Sequence, residues 1–557
     1  MHEDKPRSVS SDFSSMLQQR PLARFCLVYL AGVAAYIIPS QGTADPVLLL
    51  RIGAMALATA ILIILVPLAR RGGRLTPDSL QSWLRGPVVI AAVFLLAASA
   101  AAWQSAIPSS DVSRLASVHL ITLEGEAASE PHRSPNGTSV NIRCFSAATG
   151  RTRYRVTGAV QIWQPRPLFR SRSPRPHLRW PEPGESVGVT GVLSGLDPQS
   201  RPFEAGLLHS RIYSVIQIGK GGGLFVQPGQ RETLQVFCLR ARDALMAGLQ
   251  SLPDRERQTL AGMLFHEKSG IDPGILDDLQ RTGTIHIVAT AGLHVGIFLG
   301  TCLMILSFAL PRRGAVVISM TLLPAYAVAC GGWPAVTRAT TLAELFLLAW
   351  LLGRLSDAAT CLCLVAAGMA ALNPFSILDP GFQFTFLTVG VILLTLPLLS
   401  AFERERGTKS WFRRGARHLA EISALSFAAQ AASWPLTVYY FGVVSFVGVF
   451  ANLLIVPLLM IILPLALAAS LCWHVSAALA VIPLTLLDHL LDLLLGTAHI
   501  LARVPFACLT LGPISWPPVA IYYLVLLLLA GWVRLRQARG EHGRGVSEAG
   551  ESGQIGQ

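Results

Sequence analysis

Two histidines stand where only lipid-compatible side chains are expected. His286 and His294 lie in Arg281-Thr-Gly-Thr-Ile-His-Ile-Val-Ala-Thr-Ala-Gly-Leu-His-Val-Gly-Ile-Phe-Leu-Gly300, which opens a long apolar run. An ionisable group at membrane depth is costly unless it is paired or wet, so each imidazole is a functional candidate. Gly292, Gly296 and Gly300 recur every four residues, the small-xxx-small spacing that lets membrane helices approach closely. On one continuous helix the glycines form a stripe and both histidines fall on the far side. This predicts a helix-packing role for the glycines and a polar neighbour for the histidines. Plain hydrogen bonding of each imidazole to an adjacent helix fits the residues equally well.

Other polar groups occur in or near apolar runs: Arg338, Glu344, Asn373, Asp379, Gln383, Gln430, Asn452, Asp488, His489 and Asp492. Arg338 and Glu344 are six residues apart and do not share a helix face. Asp488 and Asp492 do share one, with His489 beside them; the trio suits cation binding or proton relay, or a polar seam against another helix. The turns Asn373-Pro374 and Asp379-Pro-Gly-Phe-Gln383, and Asn452 with Pro457, predict broken helices whose backbone lines a cavity or is buried by protein. There is no G-x-x-x-x-G-K-[ST] and no H-E-x-x-H, and His266-Glu267 lacks its second histidine. No enzymatic activity, metal or cofactor is expected. The nine cysteines form no C-x-x-C sets; Cys144 and Cys238 are candidates for a disulfide if their region is extracytoplasmic.

The elements that must position these groups are mostly membrane-length. The chain has 557 residues, 52% apolar and 14% charged, which excludes an ordinary soluble protein. Apolar runs at 22–39, 47–69 and 87–106 precede a different region, and nine more follow at 285–310, 314–332, 335–352, 357–372, 382–400, 420–440, 445–471, 475–502 and 517–534. A re-entrant segment within 445–502 fits as well as two spans. Basic residues cluster at 70–74, 312–313, 354, 404–417 and 534–544, whereas loops 373–381 and 441–444 carry no Lys or Arg. Positive charge stays inside, so the expected protein is a polytopic α-helical membrane protein of about twelve transmembrane helices with both termini cytoplasmic.

Residues 107–230 lack a membrane-length run and alternate in short stretches such as Val118-His-Leu-Ile-Thr-Leu-Glu124 and Ser186-Val-Gly-Val-Thr-Gly-Val192. This predicts an inserted small extracytoplasmic β-barrel or sandwich. Between 151 and 180 it holds Arg151, Arg153, Arg155, Arg166, Arg170, Arg172, Arg175 and Arg179 without an acidic residue, interleaved with Tyr154, Trp163, Phe169 and Trp180. Arginines with rings suit a single-stranded polyanion, guanidinium to phosphate and ring to base; anionic lipid headgroups are the alternative partner. The domains expected are an amino-terminal tail with three helices (1–106), the β domain (107–230), interfacial helices (231–284), the transmembrane core (285–534) and a cytoplasmic tail (535–557).

Four blocks resemble the ComEC family, the membrane channel of natural transformation, in order along the chain. They are Arg281 to Gly296; Gly331-Gly-Trp-Pro-Ala-Val-Thr-Arg-Ala339; Asn373-Pro-Phe-Ser-Ile-Leu-Asp-Pro-Gly-Phe-Gln-Phe-Thr-Phe386; and Trp434-Pro435 through Phe441-Gly442 with Asn452 to Pro457. The resemblance covers 235–470 and extends more weakly to the β domain, which in the family is similar to an OB fold. It implies uptake of single-stranded DNA across the inner membrane, alongside other uptake proteins including a cytoplasmic ATPase. His286, His294, Arg338, Asp379, Gln383 and Asn452 match motif positions and are thereby pore or gate candidates. Ala291 stands where the family usually has serine, so no hydroxyl acts there. Many members carry a carboxy-terminal metallo-β-lactamase-like domain; here a short tail, 540–557, follows, so a short form relying on a separate nuclease is expected. Two other readings remain open: a membrane-embedded enzyme acting on a lipid-linked substrate, and a transporter of another anionic polymer.

Overall fold

The computed structural model describes residues 21–40, parts of 93–104 and, with interruptions of which the longest are 166–178 and 197–206, residues 107–526. The expected span 47–69 and most of 87–106, both tails, and Arg151, Arg166, Phe169, Arg170, Arg172, Arg175 and Ala291 lie outside the described residues.

After helix α1 (Pro21–Ser40) comes an all-β region: β1 (Leu120–Ala127), β2 (His132–Ser134), β3 (Gly137–Thr149), β4 (Thr152–Arg155), β5 (Ala159–Pro165), β6 (Ser186–Gly195), β7 (Ile212–Gln217) and β8 (Gly223–Gln227). The alternating residues of β1 and β6 place Ile121, Leu123, Val187 and Val189 on one buried face, as a period of two requires. Five strands close in the order β1-β3-β5-β7-β6, with β6 returning to β1 and only β5–β7 parallel within the ring. This is the topology of an OB barrel. Its core is aliphatic, with Ile142, Val160, Ile162 and Ile216 fully enclosed.

Three short helices then lead into the helical region: α2 (Leu234–Ala247), α3 (Asp254–Phe265) and α4 (Pro273–Arg281). They pack into the helical core, with Leu249, Leu260, Met263 and Leu279 buried among residues of the later helices. Next come α5 (Gly292–Ser307), α6 (Arg312–Ala329), α7 (Pro334–Leu351), α8 (Ala358–Leu372), α9 (Pro380–Arg404), α10 (Trp411–Phe441), α11 (Gly448–Val475), α12 (Ala477–Ala502) and α13 (Trp516–Leu526).

Among the described residues, α11 and α12 are long and apolar enough to cross a membrane, and α5, α8 and α13 are shorter apolar helices. Between α11 and α12 only Ser476 intervenes, and the pair forms a helical hairpin with no re-entrant loop in 445–502. Ala451, Ile455, Leu459, Ile462, Ala466 and Ala469 meet Ala480, Leu484, Leu487, Leu491, Leu494 and Ala498. That three-and-four spacing is the seam of two nearly antiparallel helices. The hairpin's feet are clipped together by β9 (Val443–Ser445) and β10 (Cys508–Thr510), an antiparallel pair. Cys144 is buried in the barrel and Cys238 in the helical core, each a free thiol, which corrects the disulfide expectation.

Candidate functional site

The segment from Arg281 to Gly296 is not one helix. It runs out of α4 through Thr282 and Gly283, forms a 3-10 turn at Ile285–Ile287, and re-enters helix at Gly292. Gly283 takes φ +70°, a conformation that favours a residue without Cβ. Because the backbone breaks here, the two histidines do not share a face. His294 is 1% exposed, and its Nε2 lies 2.9 Å from the Ile287 carbonyl, stitching α5 back onto the turn. His286, on the 3-10 turn, keeps an exposed side chain.

The glycine stripe also differs from expectation. A Cβ on Gly292 would meet Ala339 of α7 at 3.9 Å, but at Gly296 and Gly300 it would meet nothing within 4 Å. Beyond Gly292 the stripe is exposed along α5 and is not a packing seam within this chain.

Arg338 and Asp379 come together. Arg338, in the first turns of α7, is 2% exposed, and its Nη1 donates to Asp379 Oδ2 at 2.9 Å. The same oxygen accepts the Phe382 N–H at 2.9 Å, so the carboxylate also caps the start of α9. Gly381 makes room: a Cβ there would lie 2.5 Å from Arg338 Nη2 and 3.1 Å from Asp379 Oδ2. Arg338 Nε is buried without a partner, so the guanidinium keeps donor capacity in reserve. Two residues on, Gln383 Nε2 donates to the Ile377 carbonyl at 3.0 Å and Tyr440 Oη donates to Gln383 Oε1 at 3.1 Å, linking α9 to α10. Asn452 is half-buried on α11 with an unpartnered Oδ1.

Gln430 of α10, absent from the sequence-derived site, sits where three segments converge. Its Nε2 lies 2.1 Å from where a Gly448 Cβ would be and 3.3 Å from that of Gly283, whose other neighbour is Ser445 at 2.9 Å. Two glycines therefore admit one amide between the Arg281–Gly296 segment, β9 and the start of α11. Asp278 and His499 form another pairing that spacing could not reveal, with Nδ1 and Oδ2 2.7 Å apart between α4 and α12. The Asp488, His489 and Asp492 trio does not assemble into a metal site, and no group of three or more ligating side chains exists among the described residues.

In the barrel, Arg153 pairs with Glu124 and donates to Ser146 Oγ at 2.9 Å, and Arg179 pairs with Glu185 at 2.6 Å. These cations are shared with carboxylates from outside the 151–180 window. Arg155 is exposed on β4, Trp163 is half-buried on β5, and Trp180 packs against the barrel core.

The barrel is docked on the helices by specific contacts. Arg242 of α2 reaches Glu130 with two bonds of 2.7 and 2.8 Å. Arg211 donates to the Leu372 carbonyl at 2.7 Å, and Tyr213 meets Phe375 edge-on at 6.5 Å.

Comparison with known proteins points the same way. A family model described as Competence protein matches residues 263–536. ComE operon protein 3 of Bacillus subtilis (strain 168) is 25% identical over 326 residues, covering 57% of this chain and 39% of that protein. The chain thus spans well under half the length of the curated relative it matches. No solved structure matches. Through the segment that holds the broken Arg281–Gly296 stretch, the Arg338–Asp379 pair and Gln430, this chain belongs to the competence-protein (ComEC) family.

Proposed function

We propose that the protein passes a single DNA strand across the inner membrane during natural transformation, with the barrel outside and both termini in the cytoplasm. One observation carries the reading. The barrel's contacts fall on Trp333 and on residues 372–375, at loops 331–333 and 373–379. These are loops that a twelve-helix topology with positive residues inside puts on the outer face. The contacts put the barrel beside the loops that the charge pattern assigns to the outer face, which supports this orientation. Large exposed apolar residues such as Phe308, Ile482 and Phe506 fit a lipid surround.

In this reading the Arg338–Asp379 pair stands near the outer mouth. The carboxylate occupies the guanidinium at rest, as a phosphodiester would during passage, because planar bidentate donors suit both anions. His286, on an accessible wall beside non-helical backbone, lines the route; irregular backbone at membrane depth is tolerated where it borders water or is covered by protein. The role of DNA uptake is tested by deleting the gene in a competent host and scoring surface-bound and internalised marked DNA separately. Retained surface binding with loss of cytosolic transfer is expected; unchanged transfer rejects the assignment.

A further inference from the structure

The barrel meets the helical core at a cluster of rings and cations that packing does not require. The turn between α6 and α7 carries Gly331 and Gly332 at φ +79° and +66°, and it lifts Trp333 out as the residue before Pro334. Trp333 remains 39% exposed. His266 lies against it with ring centroids 4.5 Å apart and tilted by 42°, and His132 of β2 meets it edge-on at 5.9 Å. His266 ends α3 at φ +63°, uncommon for a residue with a Cβ.

Lys268 has no carboxylate partner among the described residues, and His266 Nδ1 is buried without a partner. Burial depresses all three basic groups, and repulsion adds to it for the two histidines. His266 falls to about 3, by burial first and then by Lys268, His132 and His294; His132 falls by burial and Lys268; Lys268 falls by burial. No carboxylate figures among the charges they feel. An amine without a carboxylate, an imidazole with an unpartnered nitrogen and an open indole face together suit an anion that carries a ring.

We infer that Trp333, His132, His266 and Lys268 form a receiving site for one nucleotide of a single strand, with its base on the exposed indole and its phosphate on Lys268 and His266. The inference rests on the strand-passage reading and goes beyond it. It locates the handover from barrel to helical core at a point away from the arginine-rich window. His294, deeper in the helical core, is bonded to the Ile287 carbonyl in the broken segment.

The test uses the full chain in lipid nanodiscs with an oligodeoxynucleotide bearing a photoreactive thymidine analogue, and adducts are mapped by mass spectrometry. Adducts on Trp333 or His132 are expected. Lys268→Gln should reduce their yield about tenfold and Trp333→Ala by a similar factor, while Trp333→Phe retains most of it. Adducts confined to the barrel away from His132 overturn the receiving site and leave strand capture standing. Absence of adducts anywhere, together with no salt-sensitive binding, overturns both. Displacement of the Trp333 adduct by anionic lipid but not by unlabelled oligonucleotide assigns the site to a lipid headgroup and overturns it. The wild-type map needs no variant to fold, and Trp333→Phe guards against misfolding of the alanine form.

Discussion

The barrel and the helical core treat polar groups in opposite ways. In the barrel, cations pair with carboxylates at or near the surface, as Arg153 does with exposed Glu124 and Arg179 with mostly buried Glu185, around a largely aliphatic centre. In the helical core, Arg338 is buried with a single carboxylate, and Gln430, Asn452, Glu344 and Asp488 each keep a buried oxygen without a partner. A closed barrel satisfies its backbone around the ring, so its side chains are free to be greasy inside and wet outside. Broken helices leave backbone and side-chain polar groups inside, and these are retained only where packing or passage requires them.

Variants can sharpen or break that contrast. The largest effect is expected from separating the buried pair. Asp379→Ala or Arg338→Ala should cost about 3–5 kcal/mol by leaving a charge uncompensated, whereas Arg338→Met with Asp379→Leu should regain most stability yet stay inactive in DNA transfer. Thermal unfolding in detergent and a transformation assay measure the two halves; recovery of transfer in the double variant would contradict a working role for the pair. Leu123→Ala in the barrel should cost about 2–5 kcal/mol through its cavity. Gly381→Ala should cost about 1–3 kcal/mol by pushing the guanidinium off its carboxylate.

Acid gives a smaller effect. Unfolded His266 takes a proton below 6.5, but in the folded chain it does so only near about 3, so its stabilising share is present above 6.5 and drains away as pH falls between those values. The free energy of unfolding should fall from pH 7.5 to 5.5 by no more than about 1 kcal/mol per pH unit, and His266→Gln should flatten that slope. An unchanged slope would place the acid sensitivity elsewhere. Least of all, Glu124→Gln should shift stability by about 0–1 kcal/mol, as an exposed pair in water does.

Much of the framework is readable along the chain. The alternation at 118–124 and 186–192 becomes β1 and β6, and each apolar run from 285 to 502 encloses or abuts a helix, because both periods are properties of neighbours in sequence. The motif positions Arg338, Asp379 and Gln383 were visible as polar interruptions, but their partners were not. The two ends of the Arg338 pair are 41 residues apart, and those of Asp278 and His499 are 221 apart. The break at Ile285–Ile287 was hidden because its composition is as apolar as the helix that follows.

By itself the sequence determined where apolar segments begin and end, which loops are basic and which blocks match a family, since hydropathy and charge are additive along a chain. Only the tertiary structure decided that His286 is exposed while His294 is sealed, that the glycine stripe of α5 is left open, and that Trp333 meets the barrel. Those outcomes depend on which faces of distant helices pack together, and close packing is a property of shapes in three dimensions that no local pattern encodes.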